Sequence, residues 1–172
     1  NHPLHTKVSS IIDEVITSKC AGSCIKIPSN NCGSSGILPF YKGDGAKDDP
    51  EYCEVDCLIM KGGEVRAVIE IEESAKRPID LFGKALASAS SDYCRREFGG
   101  VKYPHLSRNG GFIQVLGQSE SESAEKSGKS DQWDDVAVTL RKIFKNQDRN
   151  LRKYFLIYGK DTEFNKGQPK LQ

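Results

Sequence analysis

No apolar run in this chain comes near the roughly 20 residues that a membrane-spanning helix needs, and the amino end, NHPLHTKVSS, lacks the apolar core of a signal peptide. The expectation is an intracellular protein, of the cytoplasm or the nucleoid or nucleus, with no membrane partner. Histidine is scarce, and His2, His5 and His105 have no sequence neighbours that suggest a nucleophile or a metal site. Gly43-Asp44-Gly45 lacks the Lys-Ser/Thr pattern of a phosphate-binding loop, no serine suggests a triad, and no internal repeat is visible. Charge of one sign is also missing: the net charge is +1 with 28% charged residues, which describes an ordinary folded protein and names no partner. Cysteine is present six times, but the C-x2-C knuckle is absent. Cys20 and Cys24, and again Cys53 and Cys57, are spaced C-x3-C with no histidine nearby, so reduced and mostly buried thiols are expected ahead of zinc or disulfides. Cys53, Val55, Cys57 and Ile59 are expected on one face of a strand, away from Asp56.

A length of 172 residues suits one domain with a real core. Residues 4–19 place Leu4, Val8, Ile11, Ile12, Val15 and Ile16 at helical spacing, which predicts a first helix. Residues 20–50 are rich in Gly, Ser, Asn, Asp and Pro around the short apolar pieces 25–27 and 37–41, which predicts long loops with one or two short strands. Residues 52–61 and 64–73 read as strands of a hairpin about Gly62-Gly63. A helix begins after Lys76, Arg77 and Pro78, with Ile79, Phe82, Leu86, Ala89 and Tyr93 as its stripe and Gly99-Gly100 as its stop. Residues 112–116 predict a strand, about 118–131 a mobile low-complexity loop, 133–146 a helix and 154–158 a last strand. The fold class expected is α/β, a central mixed β-sheet flanked by helices, within a single domain over 1–172.

Asp56, Glu70 and Glu72 lie inside the two hairpin strands, where an ionised carboxylate is costly without a partner. Side-chain alternation puts Glu54, Asp56, Leu58 and Met60 on one face and, in the second strand, Arg66, Val68, Glu70 and Glu72 together. A two-residue Gly62-Gly63 loop would set Asp56 opposite Ile69 and split the acids; a three-residue loop over Gly62, Gly63 and Glu64, such as a turn with a bulge, would set Asp56 opposite Glu70 and gather them. Gathered carboxylates repel one another, and a hard divalent cation, Mg2+ or Mn2+, relieves that repulsion. The alternative is a solvated sheet face with Lys76 or Arg77 as ion-pair partners.

Val55-Asp56, then a hairpin, then Glu70-Ile71-Glu72 at the end of an apolar strand and before a helix, resembles the PD-(D/E)xK nuclease superfamily. The resemblance covers about two thirds of the chain, from Leu4 to Leu116. Val55 stands where the family has proline, and Glu72 where it has lysine, as in the Glu-x-Glu variant of certain type II restriction endonucleases. The resemblance implies the restriction-endonuclease-like fold and Mg2+- or Mn2+-dependent endonuclease action on DNA. It implies Asp56, Glu70 and the Ile71 carbonyl as metal ligands, and Asp56, Glu70 and Glu72 as catalytic residues, with Glu72 acting on the attacking water or on a metal. Glu14, Glu51 and Glu54 compete for the role of a further acid, and Lys84 is placed to replace the missing lysine in space. Lys76, Arg77, Lys84, Lys142, Lys145 and Arg149 are the expected nucleic-acid contacts, with DNA as partner, in a homodimer or a larger restriction or repair assembly. The rival reading is a catalytically inactive module of the same fold that binds nucleic acid or protein; a third is an α/β scaffold whose acids are surface decoration.

Overall fold

The computed structural model describes residues 3–20, 22–34, 36–73, 77–118, 128–146, 148, 150–167 and 169–171. Lys76, Arg149 and residues 119–127 of the expected loop lie outside them.

The elements run α1 (Pro3–Lys19), β1 (Ile25–Pro28), a 3-10 turn (Asn30–Cys32), β2 (Pro39–Tyr41), β3 (Glu51–Glu54), β4 (Cys57–Lys61), β5 (Glu64–Glu72), α2 (Pro78–Ser90), β6 (Tyr93–Cys94), β7 (Leu106–Gln118), α3 (Gly128–Asn146), β8 (Lys153–Lys160), α4 (Asp161–Asn165) and β9 (Lys170–Leu171). A six-stranded sheet has the order β1-β4-β5-β7-β8-β9, and a smaller sheet the order β3-β2-β6. Within the large sheet β5/β7 and β7/β8 are parallel and the other pairs antiparallel. The mixed sheet follows from the connections: Gly62-Gly63 permits only a hairpin, whereas α2 and α3 each give the chain length for a parallel crossover.

Two cores cover the two faces of the sheet. Leu58, Met60, Val68, Phe112, Leu116, Leu156 and Tyr158 pack beneath Leu81 and Ala85 of α2 and Trp133, Leu140 and Phe144 of α3. Cys57, Ile69, Ile71 and Val115 pack beneath Leu4 and Val8 of α1 and Phe164 of α4. Each large apolar side chain so buried contributes roughly 1.5–3 kcal/mol, which is what fixes the helices on the sheet. Among the described residues no helix is long and apolar enough to cross a membrane.

Three boundaries differ from the sequence reading. Residues 52–61 are two strands, because the chain kinks at Val55-Asp56 and passes from the small sheet to the large one. Val55 therefore joins Leu58 and Met60 in the larger core, Cys53 packs against that core, and Cys57 alone of the two cysteines faces α1. Helix α2 ends at Ser90, well before Gly99-Gly100. Ser91 is extended and turns its hydroxyl back to the Ala87 carbonyl at 2.9 Å, a local competition that Ser and Asp side chains offer to helix continuation. Tyr93, freed from the helix stripe, pairs with Tyr41 in the small sheet and is fully buried. At the amino end the expected stripe of α1 is buried only through its first half, and Ile11 and Val15 are exposed. Of the loop expected at about 118–131, residues 128–131 form the first turn of α3.

The hairpin that carries the acids turns on Gly62 and Gly63, both at positive φ (62° and 81°), a conformation that costs other L-residues about 1–2 kcal/mol. A Cβ on Gly62 meets nothing within 4 Å, so Gly62→Ala tests the backbone term alone. Urea unfolding should show a loss of about 1–2 kcal/mol with unchanged denaturant sensitivity; an unaltered midpoint would refute this account of the turn.

Candidate active site

The hairpin register decides whether the acids meet. Lys61 pairs with Glu64 and Met60 with Val65 across the two-glycine loop, as the tight turn requires; a shift between Ile59 and Met60 then leaves Arg66 unpaired and sets Ile59 opposite Ala67, Leu58 opposite Val68 and Cys57 opposite Ile69. The bulge moves the register by one residue, so Asp56 falls beside Glu70. It also moves Val65 to the face of Val68 and away from Ile69 and Ile71, where simple alternation had put it. The loop is the two-residue one, yet the base of the hairpin has the register expected of the three-residue loop, because the extra residue is Arg66 within β5 and not Glu64 in the turn.

At that base Asp56 and Glu70 are locked by backbone bonds. The Asp56 N–H donates to Glu70 Oε2 at 3.2 Å, and the Ile71 N–H donates to Asp56 Oδ2 at 2.9 Å. A strand residue sends its N–H and C=O to the same edge, so the Ile71 carbonyl faces the same cleft. The Asn31 amide, from the 3-10 turn, donates to Asp56 Oδ1 at 3.1 Å, and His5 Nδ1 of α1 lies 3.8 Å from that oxygen. From α2, the Lys84 ammonium donates to Glu70 Oε1. These residues, with Glu72 and Glu73, line a cleft of about 350 Å3. Glu73 holds the start of α1 by accepting the Leu4 N–H at 2.9 Å, which is how His5 comes to the cleft.

Glu70 is 2% exposed and Asp56 7%. Burial, and then the Asp56 charge, push the Glu70 carboxyl up to about 7, against the opposing pull of Lys84. Burial disfavours the Lys84 charge, yet Glu70 and then Glu72 and Asp56 more than offset it, so its pKa is raised. One ammonium therefore compensates part of a carboxylate pair and leaves the rest of its repulsion in place.

The donor set suits a hard cation. Two carboxylates and a backbone carbonyl are all oxygen, and Mg2+ is held through one or two carboxylates with water and phosphate completing its shell. Among the described residues no three His, Cys, Asp or Glu side chains form a ready cage, so the protein supplies a partial set of this kind. Soft thiolate chemistry is disfavoured at the neighbouring cysteine: burial, and then Asp56, push the Cys32 thiol up to about 12.

Of the residues singled out by sequence, Asp56, Glu70, Ile71, Glu72 and Lys84 converge here. Arg77 caps α2 nearby and is paired with Asp80 at 3.0 Å. Glu14 is exposed on α1, and Glu51 accepts from the Tyr41 hydroxyl at 2.6 Å in the small sheet; neither lines the cleft, whereas Glu54 lines a recess beside it. Lys142 and Lys145 are exposed at the carboxyl end of α3. Their neighbour Phe144 packs on Tyr154, while Glu72 is level with Leu116 and Tyr158, four residues or roughly 13 Å further along the strands. The structure does not bring them to the carboxylates. His5 and Asn31 were missed by the sequence reading, because nothing local in either stretch signals a partner that lies beyond the hairpin.

No family model, curated protein or solved structure matches the chain.

The displaced titration of Glu70 gives a pH test without metal. Its folded pKa, about 7, lies above the ordinary 4.5, so between those values the folded state binds the proton that the unfolded state has lost. Stability then falls as pH rises through that window. In the presence of a chelator, wild type should lose stability between pH 5 and pH 8 relative to Glu70→Gln, measured by urea unfolding; parallel pH profiles would contradict the assigned burial and repulsion.

Proposed function

We propose that the protein is a divalent-metal-dependent endonuclease that hydrolyses phosphodiester bonds in DNA, on a restriction-endonuclease-like α/β fold. The observation that carries the reading is the juxtaposition of Asp56 and Glu70, buried side by side at the base of a bulged hairpin with Lys84 on the Glu70 carboxylate. Asp56, Glu70 and the Ile71 carbonyl would hold Mg2+ or Mn2+. A cation so held supplies a Lewis acid for a phosphate oxygen and lowers the pKa of a bound water. With Glu70 holding a cation, Lys84 would keep its ammonium in the cleft, where it would orient the attacking water or offset charge on the phosphate. It takes the place of the lysine that the family motif has at Glu72. Glu72 keeps Lys84 charged from the rim of the cleft. Within the large sheet the order α1, three strands (β1, β4 and β5), α2 and β7, with β5 and β7 parallel, supports the same reading. DNA is the partner, and a homodimer or larger restriction or repair assembly would allow both strands to be cut.

One observation favours a second reading. The Lys84–Glu70 pair already compensates one carboxylate from within the chain, as a catalytically inactive nucleic-acid-binding or protein-interaction module of this fold would require.

Cleavage assays with Mg2+ and Mn2+ on single- and double-stranded DNA separate the two. Asp56→Asn and Glu70→Gln keep shape and lose charge, so each should reduce cleavage by several orders of magnitude with DNA binding retained. Lys84→Ala should lower the rate at saturating metal, since it removes a group that acts on the reacting atoms. A wild type that cuts nothing left intact by Glu70→Gln would replace the enzyme with the binding module.

A further inference from the structure

Beside the cleft lies a smaller recess of about 100 Å3 that shares Asn31, Asp56, Glu70 and Lys84 with it, and whose further lining includes Ser29, Glu54 and the apolar Ile37. Ser29 is 3% exposed, and among the described residues its hydroxyl has no hydrogen-bond partner. Its backbone is fully engaged: the N–H donates to the Asp56 carbonyl at 2.7 Å, and its own carbonyl accepts from Cys32 and Ser34, each at 3.0 Å. The chain thus holds an unsatisfied hydroxyl rigidly at a buried position, where burial without a partner is unfavourable. At the rim, Glu54 is exposed at the end of β3 and, among the described residues, makes no hydrogen bond or ion pair. Ile37 is 46% exposed.

The chemistry of a ligand for this recess follows from what is left uncompensated. In the metal-free protein Lys84 is committed to Glu70, and with metal Asp56 and Glu70 are the ligands of the cation in the proposed function, so a second dication would have Glu54 as its only counter-charge. A phosphate would meet that carboxylate directly. A neutral group that offers a hydrogen-bond donor to Glu54, an acceptor to Ser29 and a flat apolar face to Ile37 fits all three. The edge of a nucleobase has this pattern, and the small volume suits a single ring. Of the pyrimidines, cytosine presents an amino donor where thymine presents a carbonyl, and carboxylate side chains accept from that amino group.

We infer that the recess receives one unstacked cytosine beside the scissile phosphate, with Glu54 accepting from its amino group and Ser29 donating to its ring nitrogen or carbonyl. The inference rests on the nuclease reading and gives it a base preference. It requires the base to leave the stack, as bases do in single strands and at frayed ends.

The test is fluorescence anisotropy of metal-free wild-type protein, with chelator at pH 8, on short single-stranded oligo(dC), oligo(dT) and a mixed-sequence duplex. Oligo(dC) should bind about tenfold more tightly than oligo(dT). Ser29→Ala and Glu54→Ala remove no side-chain hydrogen bond among the described residues, so both variants should fold; each should reduce the oligo(dC) affinity toward that for oligo(dT) and leave the latter unchanged. Equal wild-type affinities, or a cytosine preference that survives both substitutions, would overturn the inference. Binding to the duplex and to neither single strand would overturn it and leave the nuclease reading standing. Binding to no DNA at all would overturn it, and the cleavage assay with metal would then decide the nuclease reading.

Discussion

Two carboxylates, Asp56 and Glu70, stand side by side in the protein interior with one ammonium to share between them. Much of the rest of the molecule serves to impose that arrangement. The bulge at Arg66 sets the register, the kink at Val55-Asp56 ends the strand where Asp56 can turn to the Ile71 N–H, and α2 is anchored by Leu81 and Ala85 so that Lys84 reaches Glu70. Burial, and then the charge of Asp56, raise the Glu70 pKa, so without a compensating cation Glu70 favours its protonated form. A fold that maintains such a pair maintains a demand for positive charge at one point in space.

The demand is met only in part from within. Lys84 is half-exposed and therefore a well-solvated partner, and a surface lysine of this kind compensates a buried carboxylate less completely than a cation held between both acids. In the proposed function the site would be shared between two occupants, the chain's own ammonium and a divalent ion. This competition is a physical reason for lysine to reach the site from a neighbouring helix: on α2 it can move aside without disturbing β5. On the nuclease reading Glu72 would stand where that family has lysine, and its charge, after that of Glu70, favours the Lys84 ammonium.

Much of this was legible in the sequence, and the exceptions have physical causes. The hairpin, the helix after it and the segregation of the acids follow from alternation, from two glycines and from Pro78. The register did not, because a bulge at Arg66 leaves no mark in composition: Arg66 is an ordinary exposed strand residue. Helix α2 was read too long because Tyr93 continues its apolar spacing, while the true stop is a hydrogen bond from Ser91 to the helix. His5 and Asn31 reach Asp56 from elements far away in sequence, so their placement is a property of packing. Lys142 and Lys145 show the reverse error. Their charge is legible, but their position at the far end of α3 is set by the antiparallel run of that helix over β7 and β8.

The central claim is that Asp56 and Glu70 together form the site of one hard divalent ion. Calorimetric titration of Mn2+ and Mg2+ into wild type and Asp56→Ala, at pH 8 so that Glu70 is ionised, tests it most directly. The account predicts one bound ion per chain in the wild type and none in Asp56→Ala. No binding in the wild type, or undiminished binding in the variant, would contradict it.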